Sequence, residues 1–488
     1  MCTLQSYVQE ATPGRVCTFI KRLDLLQFTF PNYCKMYIIH LIHVFILSAH
    51  ELPRCRRLQC NMRQVQICGQ RRLKRIVVLH AIVAFILLGF LCWSESYKNE
   101  TTGLELQLDP TAHISGSSNM KRASLRNVTT AHSPTKPIVL PILVIACNRP
   151  SVMRTLNALL DLRKKWNKEE SFQFPITVSQ GCDHQETADI IETYGVQISV
   201  IRFTDDGQPP KEKYNLKKLA YRSIAHHYKF ALNHMFLVQN HSAVIVVEDD
   251  LDIAPDFLEY FAATLPLLKA DRQLFCVTAW NDNGRPHLIN LKRNDLIYRT
   301  DFFSGLGWML LRQFWLEIYK GWPDIYWDEY LRKPYVRQNR SCLRPELGRT
   351  ITFGRIGVSS GQYFKEYLRT MHLNRIPYDF TKADLSYLKE PSYTQQWIEQ
   401  VYKDAQHIRL PALLKNHLPD VGPDISLRVT YNSLKEFTRI ARHLNLMFDV
   451  KSGVLRTAFR GIVPAYWKHC QLFIAPPQNW TGYNASWG

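Results

Sequence analysis

The 488-residue chain is short of several features, and each gap closes off a class of function. No GxGxxG follows its first strand-like run, "PIVLPILVIACNRP", so a dinucleotide site of the Rossmann type is unsupported. No C-x-x-C pair occurs, which removes the usual structural zinc arrangements. Clustered His and Asp of the kind a two-metal nuclease or phosphatase needs are also missing. Nor is there a basic stripe interleaved with aromatics, although the net charge is +19. Nearly half of the excess sits at one end: residues 1–75 carry twelve Lys or Arg against Glu10, Asp24 and Glu51, a surplus of nine, and the remainder is spread thinly through the rest of the chain. No nucleic-acid partner is therefore expected. Disorder is excluded as the main theme, since 46% hydrophobic and 21% charged residues suit a globular chain long enough for two domains.

What is present begins with "RRLKRIVVLHAIVAFILLGFLCW". Residues 76–93 are apolar apart from His80 and long enough to span a bilayer as one helix, with Trp93 at the interface. Arg71, Arg72, Lys74 and Arg75 precede the run and only Lys98 follows closely, so the positive-inside rule leaves 1–75 in the cytosol and sends the remainder across the membrane. A buried core helix and a cleaved signal peptide compete with that reading; the lack of an A-x-A-like site after Trp93 argues against the second. The tail and a shorter apolar run at 37–48, broken by His40 and His43, have no assigned role. Seven of the twelve cysteines fall at or before Cys92, where thiols stay reduced, and five lie beyond it: Cys147, Cys182, Cys276, Cys342 and Cys470. Five is odd, so at least one stays free. N-x-S/T acceptors at Asn99, Asn127, Asn240, Asn339, Asn479 and Asn484 permit a lumenal location. Residues 94–136, polar and without apolar period, read as an extended stem.

From 137 onward apolar runs and amphipathic stretches alternate, which predicts a doubly wound α/β sheet with ligands beyond the carboxyl ends of its strands. One such end is "AVIVVEDD", where Glu248, Asp249 and Asp250 follow a run with hardly a polar atom. Three adjacent carboxylates repel unless something positive offsets them, and a divalent cation bound through oxygen is the common answer. The bland alternative is a helix start, since Asp252 and Asp256 precede "FLEYFAATLPLLKA", but capping needs one such side chain and not three in a row. Asn148 with Arg149, and the loop 181–184, lie at two further strand ends, so three termini are expected to line one cleft. Carboxylates holding Mg²⁺ or Mn²⁺ in a sheet crevice behind a membrane anchor suit a substrate carrying a diphosphate, such as a nucleotide sugar. Beyond about residue 391, "DISLRVTY", "SLKEFTRIARHL" and two further apolar stretches predict a smaller α+β domain, while Trp327 and Trp397 are either core residues or sugar platforms.

"LPILVIACNR", "VVEDDLDIAPDFLEYF", "CVTAWNDNG", "YRTDFFSGLGWMLL", "RPELGRTITFGRIGVSSGQ" and "VKSGVLRTAFRGIV", in this order, resemble the N-acetylglucosaminyltransferase I family. The resemblance covers roughly 137–488 and implies an inverting enzyme of the GT-A kind: a Golgi single-pass type II membrane protein with a lumenal catalytic part. It would use Mn²⁺ and UDP-N-acetylglucosamine to extend a mannose arm of a high-mannose N-glycan on glycoproteins. It implies a catalytic domain at 137–354, a donor-closing segment at 355–390 and a C-terminal domain at 391–488. Carried over by position, Asp250 is the metal ligand, Arg149, His227, Glu248, Asp249 and Ser359 contact the donor, and Asp328 of "YWDEYL" is the catalytic base. The same resemblance pairs Cys147 with Cys182 and Cys276 with Cys342, leaving Cys470 free. Two positions depart from it: Gly181 stands where the family has an aspartate that binds the uracil ring, and Asn148 where it has Asp. Two other readings stay open, a related transferase acting on O-linked mannose and a catalytically weak paralogue that binds glycan or a partner transferase.

Overall fold

A computed structural model describes residues 136–488, apart from 167, 169–170, 206–213, 359–360, 362, 417–421, 423, 485 and 488. The tail expected over 1–75, the anchor over 76–93, all but the last residue of the stem, and Ser359 lie outside the described residues. No helix among the described residues is long and apolar enough to cross a membrane.

The apolar runs become strands, as periodicity predicts. A short β1 (Ile138–Val139) leads into β2 (Ile142–Ala146), helix α1 (Val152–Lys165), β3 (Phe172–Gln173), β4 (Ile176–Gln180), α2 (Gln185–Glu192) and β5 (Ser199–Arg202). Then come α3 (Leu216–Asn233), extended by a π-helical turn at His234–Val238, and β6 (Ala243–Glu248) with β7 (Leu251–Ile253) directly behind it. After α4 (Phe257–Ala270) follow β8 (Leu274–Thr278), β9 (Ile297–Thr300), β10 (Trp308–Leu311), α5 (Arg312–Ile318), α6 (Trp327–Arg332), α7 (Pro334–Arg337), β11 (Ser341–Pro345) and β12 (Thr350–Thr352).

Eight of these strands form one mixed sheet in the order β5-β4-β2-β6-β10-β8-β11-β9. β5, β4, β2 and β6 run parallel, and β2 and β4 are buried along their whole length, as strands covered on both faces must be. β10 is antiparallel to both β6 and β8, so the acidic end of β6 and the carboxyl end of β8 share an edge with those of β2 and β4. One face of the sheet packs Val144, Ile176 and Val247 under α1 and α4; the other packs Leu143, Val244 and Val246 under α3, with Trp308, Trp315, Trp322 and Trp327. α3 starts cleanly because the Asn215 side chain accepts the Lys218 N–H at 2.9 Å. β8 and β11 are cross-linked by Cys276–Cys342, the second of the expected disulfides.

The remaining elements are α8 (Ser392–Glu399), β13 (Gln406–Ile408), α9 (Leu410–Leu414), β14 (Leu427–Thr430), α10 (Leu434–Leu444), β15 (Val450–Lys451), β16 (Val454–Leu455), β17 (Val463–Trp467) and β18 (Cys470–Ala475). β13, β14, β18 and β17 make a separate four-stranded sheet whose own core includes Ile408, Val429 and Ile474, with Leu288 from the preceding region joining it. α10 is bounded as its sequence demands: Ser433 accepts the Glu436 N–H, and Asn445 closes it in the left-handed region with φ 61°. Trp397 is core rather than platform: it is 5% exposed and packs against Tyr298 and Phe473 at the seam between the two sheets. Asp301 ties the same seam, accepting from Ser341, from the Arg460 N–H and from the Tyr483 hydroxyl.

Candidate active site

β2, β4 and β6 deliver their carboxyl ends side by side, and short-range chemistry holds the loops that follow. The Cys147–Cys182 disulfide joins the loop after β2 to the loop after β4, where Cys182 and Asp183 both have positive φ. The Cys147 N–H donates to Asp249 Oδ2 at 3.0 Å, and from α1 the Thr155 hydroxyl donates to the Leu251 carbonyl at 2.9 Å. The acidic turn is thus fixed from both flanks before any ligand arrives.

Its electrostatics are unbalanced. Asp249 and Asp250 are 7% and 8% exposed. Arg149 faces them, hydrogen-bonded to Asp250 and 3.8 Å from Asp249 Oδ1, and its Nη2 also donates to the Ile356 carbonyl at 3.1 Å. One guanidinium does not offset three carboxyls. Burial first, then the Asp250 charge, pushes Glu248 up to about 7, with the Tyr228 hydroxyl bond and Arg149 pulling the other way. The same two causes push Asp249 up to about 6. Asp250 Oδ1 is buried without a hydrogen-bond partner among the described residues. The triplet is not a helix start: β7 separates it from α4, and Asp256, at the helix N-terminus, makes no capping bond and instead accepts from Arg349 and Asn374.

A glycine lies over this carboxylate. β12 pairs antiparallel with β7, and the Phe353 N–H donates to the Asp250 carbonyl at 2.9 Å, which carries Gly354 across the turn. A Cβ on Gly354 would overlap Asp250 Oδ2 and lie 2.5 Å from Arg149 Nη1, so the Asp250–Arg149 pair occupies that ground and only glycine fits beside it. The hard carboxylate oxygens and the orphaned Asp250 Oδ1 are the donor type that Mg²⁺ or Mn²⁺ takes. Among the described residues no three His, Cys, Asp or Glu side chains converge as a self-sufficient metal cage.

His227 is 5% exposed and lies beside the same edge. Its Nε2 is 2.8 Å from the Ser179 hydroxyl, and its ring stacks on Phe203 at 5.0 Å and 7°. Burial lowers it to about 4, so the imidazole is neutral at any ordinary pH. Gly181 is packed beneath it: a Cβ there would be 3.0 Å from His227 Nδ1 and 3.3 Å from Phe203. A side chain at 181 would therefore require the imidazole or Phe203 to give by a few tenths of an ångström.

Asp328 opens α6 behind Tyr326, which sits in the left-handed region with φ 55°. Its side chain is 40% exposed, and Oδ2 accepts from Arg332 Nη1 at 2.7 Å. Burial alone would raise this carboxyl, but the Arg332 charge and hydrogen bond outweigh it and hold the group below the usual range. The neighbouring Trp327 stacks on Tyr228 at 4.0 Å and 23°, and the Tyr228 hydroxyl donates to Glu248 Oε1 at 2.6 Å. Arg149, His227, Glu248, Asp249 and Asp250 therefore gather at one edge, and Asp328 is joined to them through a single aromatic contact. Sequence reasoning did not single out Tyr228, Ser179, Arg332 or Gly354. The i,i+4 spacing of Asp328 and Arg332 was a readable signal; the others depend on contacts far apart in sequence.

The description of the GNT-I family matches residues 104–487. The chain belongs to this family. It is also 34% identical over 326 residues, 67% of this chain and 71% of the other, to an alpha-1,3-mannosyl-glycoprotein 2-beta-N-acetylglucosaminyltransferase of Arabidopsis thaliana. Family membership gives the large mixed sheet its context as a glycosyltransferase-like α/β fold. Among solved structures, a mannosyltransferase of Pyrobaculum calidifontis in complex with GDP-Man and Mn²⁺ is similar at TM-score 0.25 and 14% identity over 38% of this chain and 47% of that one. S. aureus TarS 1–349 is similar at TM-score 0.30 and 15% identity over 43% of this chain and 59% of that one. The same fragment in complex with UDP-GlcNAc gives 0.27 and 11%, over 62% and 72%. The chain thus spans about half to three fifths of the first two of these structures.

Proposed function

We infer that this GNT-I family chain is a β-1,2-N-acetylglucosaminyltransferase that moves N-acetylglucosamine from UDP-N-acetylglucosamine to the 2-hydroxyl of an α-1,3-linked mannose of N-glycans. The observation that carries the reading is the pairing of a buried, under-neutralised carboxylate turn beneath Gly354 with a second, ionised carboxylate, Asp328, on a neighbouring helix. The first suits a diphosphate with its cation, and the second suits a sugar hydroxyl about to lose its proton.

In the proposed mechanism Asp328 accepts the proton of the mannose 2-hydroxyl as that oxygen attacks the anomeric carbon from the face opposite UDP. Because Arg332 keeps Asp328 ionised, the base needs no prior deprotonation. Arg149 offsets charge developing on the departing diphosphate, fixed in place by Asp250 and by the Ile356 carbonyl. Asp249, locked by the Cys147 N–H, orients the donor together with Glu248 and neutral His227. Asp250 and the diphosphate would hold Mn²⁺, which supplies Lewis-acid stabilisation of the leaving group. A single displacement inverts the anomeric centre, and no covalent intermediate on the protein is required.

The basic flank and apolar run at 71–93 support a Golgi single-pass type II placement, with 1–75 cytosolic and the catalytic part lumenal. The two cross-links, Cys147–Cys182 and Cys276–Cys342, suit an oxidising compartment. The test is transfer to a five-mannose N-glycan by the full chain, with Mn²⁺ and with chelator. Metal-dependent addition of one N-acetylglucosamine is expected; addition to O-linked mannose alone, or glycan binding without turnover, would replace this reading.

A further inference from the structure

We propose that Tyr228 is the positioning residue that holds the donor-binding acids and the catalytic base in one register, its hydroxyl setting the acids and its ring setting the base helix. The proposal rests on the functional reading above and assigns a role to a residue that reading does not use. Tyr228 lies on α3, one residue after His227, and is 2% exposed. Its hydroxyl donates to Glu248 Oε1 at 2.6 Å, at the carboxyl end of β6. Its ring lies on Trp327 at 4.0 Å and 23°, next to Asp328.

Trp327 has little freedom to shift away. It is parallel to Trp308 at 6.0 Å and 16° and to Trp322 at 6.1 Å and 12°, with Phe303 edge-on at 5.9 Å. Trp322 in turn donates from Nε1 to the Ala225 carbonyl, again on α3. One helix therefore grips both halves of the site, and Tyr228 is where the grips meet. Space-filling alone would be met by Phe. A phenol is needed only because Glu248, crowded by Asp249 and Asp250, must be held in one orientation. Burial, then the Glu248 charge, raises the phenol well above its ordinary value, so it stays protonated and able to donate.

The two contacts can be removed separately in the full chain. Tyr228→Phe keeps the stack and loses the hydrogen bond. The Mn²⁺ concentration for half-maximal rate and the KM for UDP-N-acetylglucosamine are expected to rise about tenfold or more, with kcat little changed. Trp327→Leu keeps the hydrogen bond and loosens the base helix; kcat is expected to fall about a hundredfold with donor KM retained. A second readout needs no turnover: the rise in melting temperature produced by Mn²⁺ with UDP shrinks in Tyr228→Phe and persists in Trp327→Leu. A Tyr228→Phe enzyme that only melts lower, with metal and donor constants unchanged, would reduce Tyr228 to packing and overturn the proposal. So would a Trp327→Leu enzyme with the same donor defect as Tyr228→Phe. If the wild type transfers nothing, the functional reading fails instead, and the melting shifts still decide the hydrogen-bond half.

Discussion

Replacing Glu248 by Gln should make the metal-free protein more stable while making it a poorer enzyme. Glu248 is raised from 4.5 to about 7, first by burial and then by the Asp250 charge. Between those pH values the folded protein holds a proton that the unfolded chain releases. This contribution is therefore complete below 4.5 and lost as pH rises through about 7. At pH 8 the ionised carboxylate disfavours the native state by roughly 2–3 kcal/mol, allowing for solvent screening of a partly buried group. Gln removes the charge and keeps an oxygen to accept from Tyr228. Denaturant unfolding of chelator-treated wild type and Glu248→Gln should thus differ by about that amount at pH 8, in favour of the variant, narrow by pH 5 and converge near pH 4. With Mn²⁺ and UDP present the order should reverse, because the substituted charge is part of what the cation compensates. Equal stabilities at pH 8, or the same gain at pH 5, would refute the claim that the acidic turn is electrostatically frustrated.

Gly354→Ala inserts a methyl where Asp250 and Arg149 already meet, so donor-induced stabilisation should largely vanish and folding stability fall by about 1–3 kcal/mol, read by melting with and without Mn²⁺ and UDP. Gly181→Asp, which restores the family's residue, should destabilise the protein by a similar amount, about 1–3 kcal/mol, because its Cβ meets His227 and Phe203; improved donor affinity at full stability would contradict that packing. His227, lowered from 6.5 to about 4, stays neutral when folded, so as pH falls through that window the unfolded chain takes up the proton and stability drops by roughly 3 kcal/mol. His227→Phe should flatten this limb in unfolding experiments.

Much of the fold was readable because the inner parallel strands β2 and β6 are buried on both sides and so write themselves as apolar runs ended by a polar turn. "AVIVVEDD" carried both β6 and the acids in eight letters. The consequences of long-range pairing were not readable. β7 meets β12 across a hundred residues, and only that pairing shows why residue 354 is glycine. Tyr228 looked like one more core aromatic on an amphipathic helix, since periodicity reports burial and is silent on what a buried hydroxyl meets. Likewise Trp397 lies beyond the expected start of the C-terminal domain yet packs with Tyr298 of the large sheet, because contact and not chain order decides which core a side chain joins.

The central claim is that Asp328 and the acidic turn act together in an inverting transfer. The most direct test incubates the full chain and its Asp328→Ala variant with UDP-N-acetylglucosamine, Mn²⁺ and a five-mannose N-glycan, and determines the linkage and anomeric configuration of the product by NMR. The account predicts a single β-1,2-linked N-acetylglucosamine on the α-1,3 mannose, formed at least about a hundredfold more slowly by the variant. A product of retained configuration, or an Asp328→Ala enzyme as fast as wild type, would contradict it.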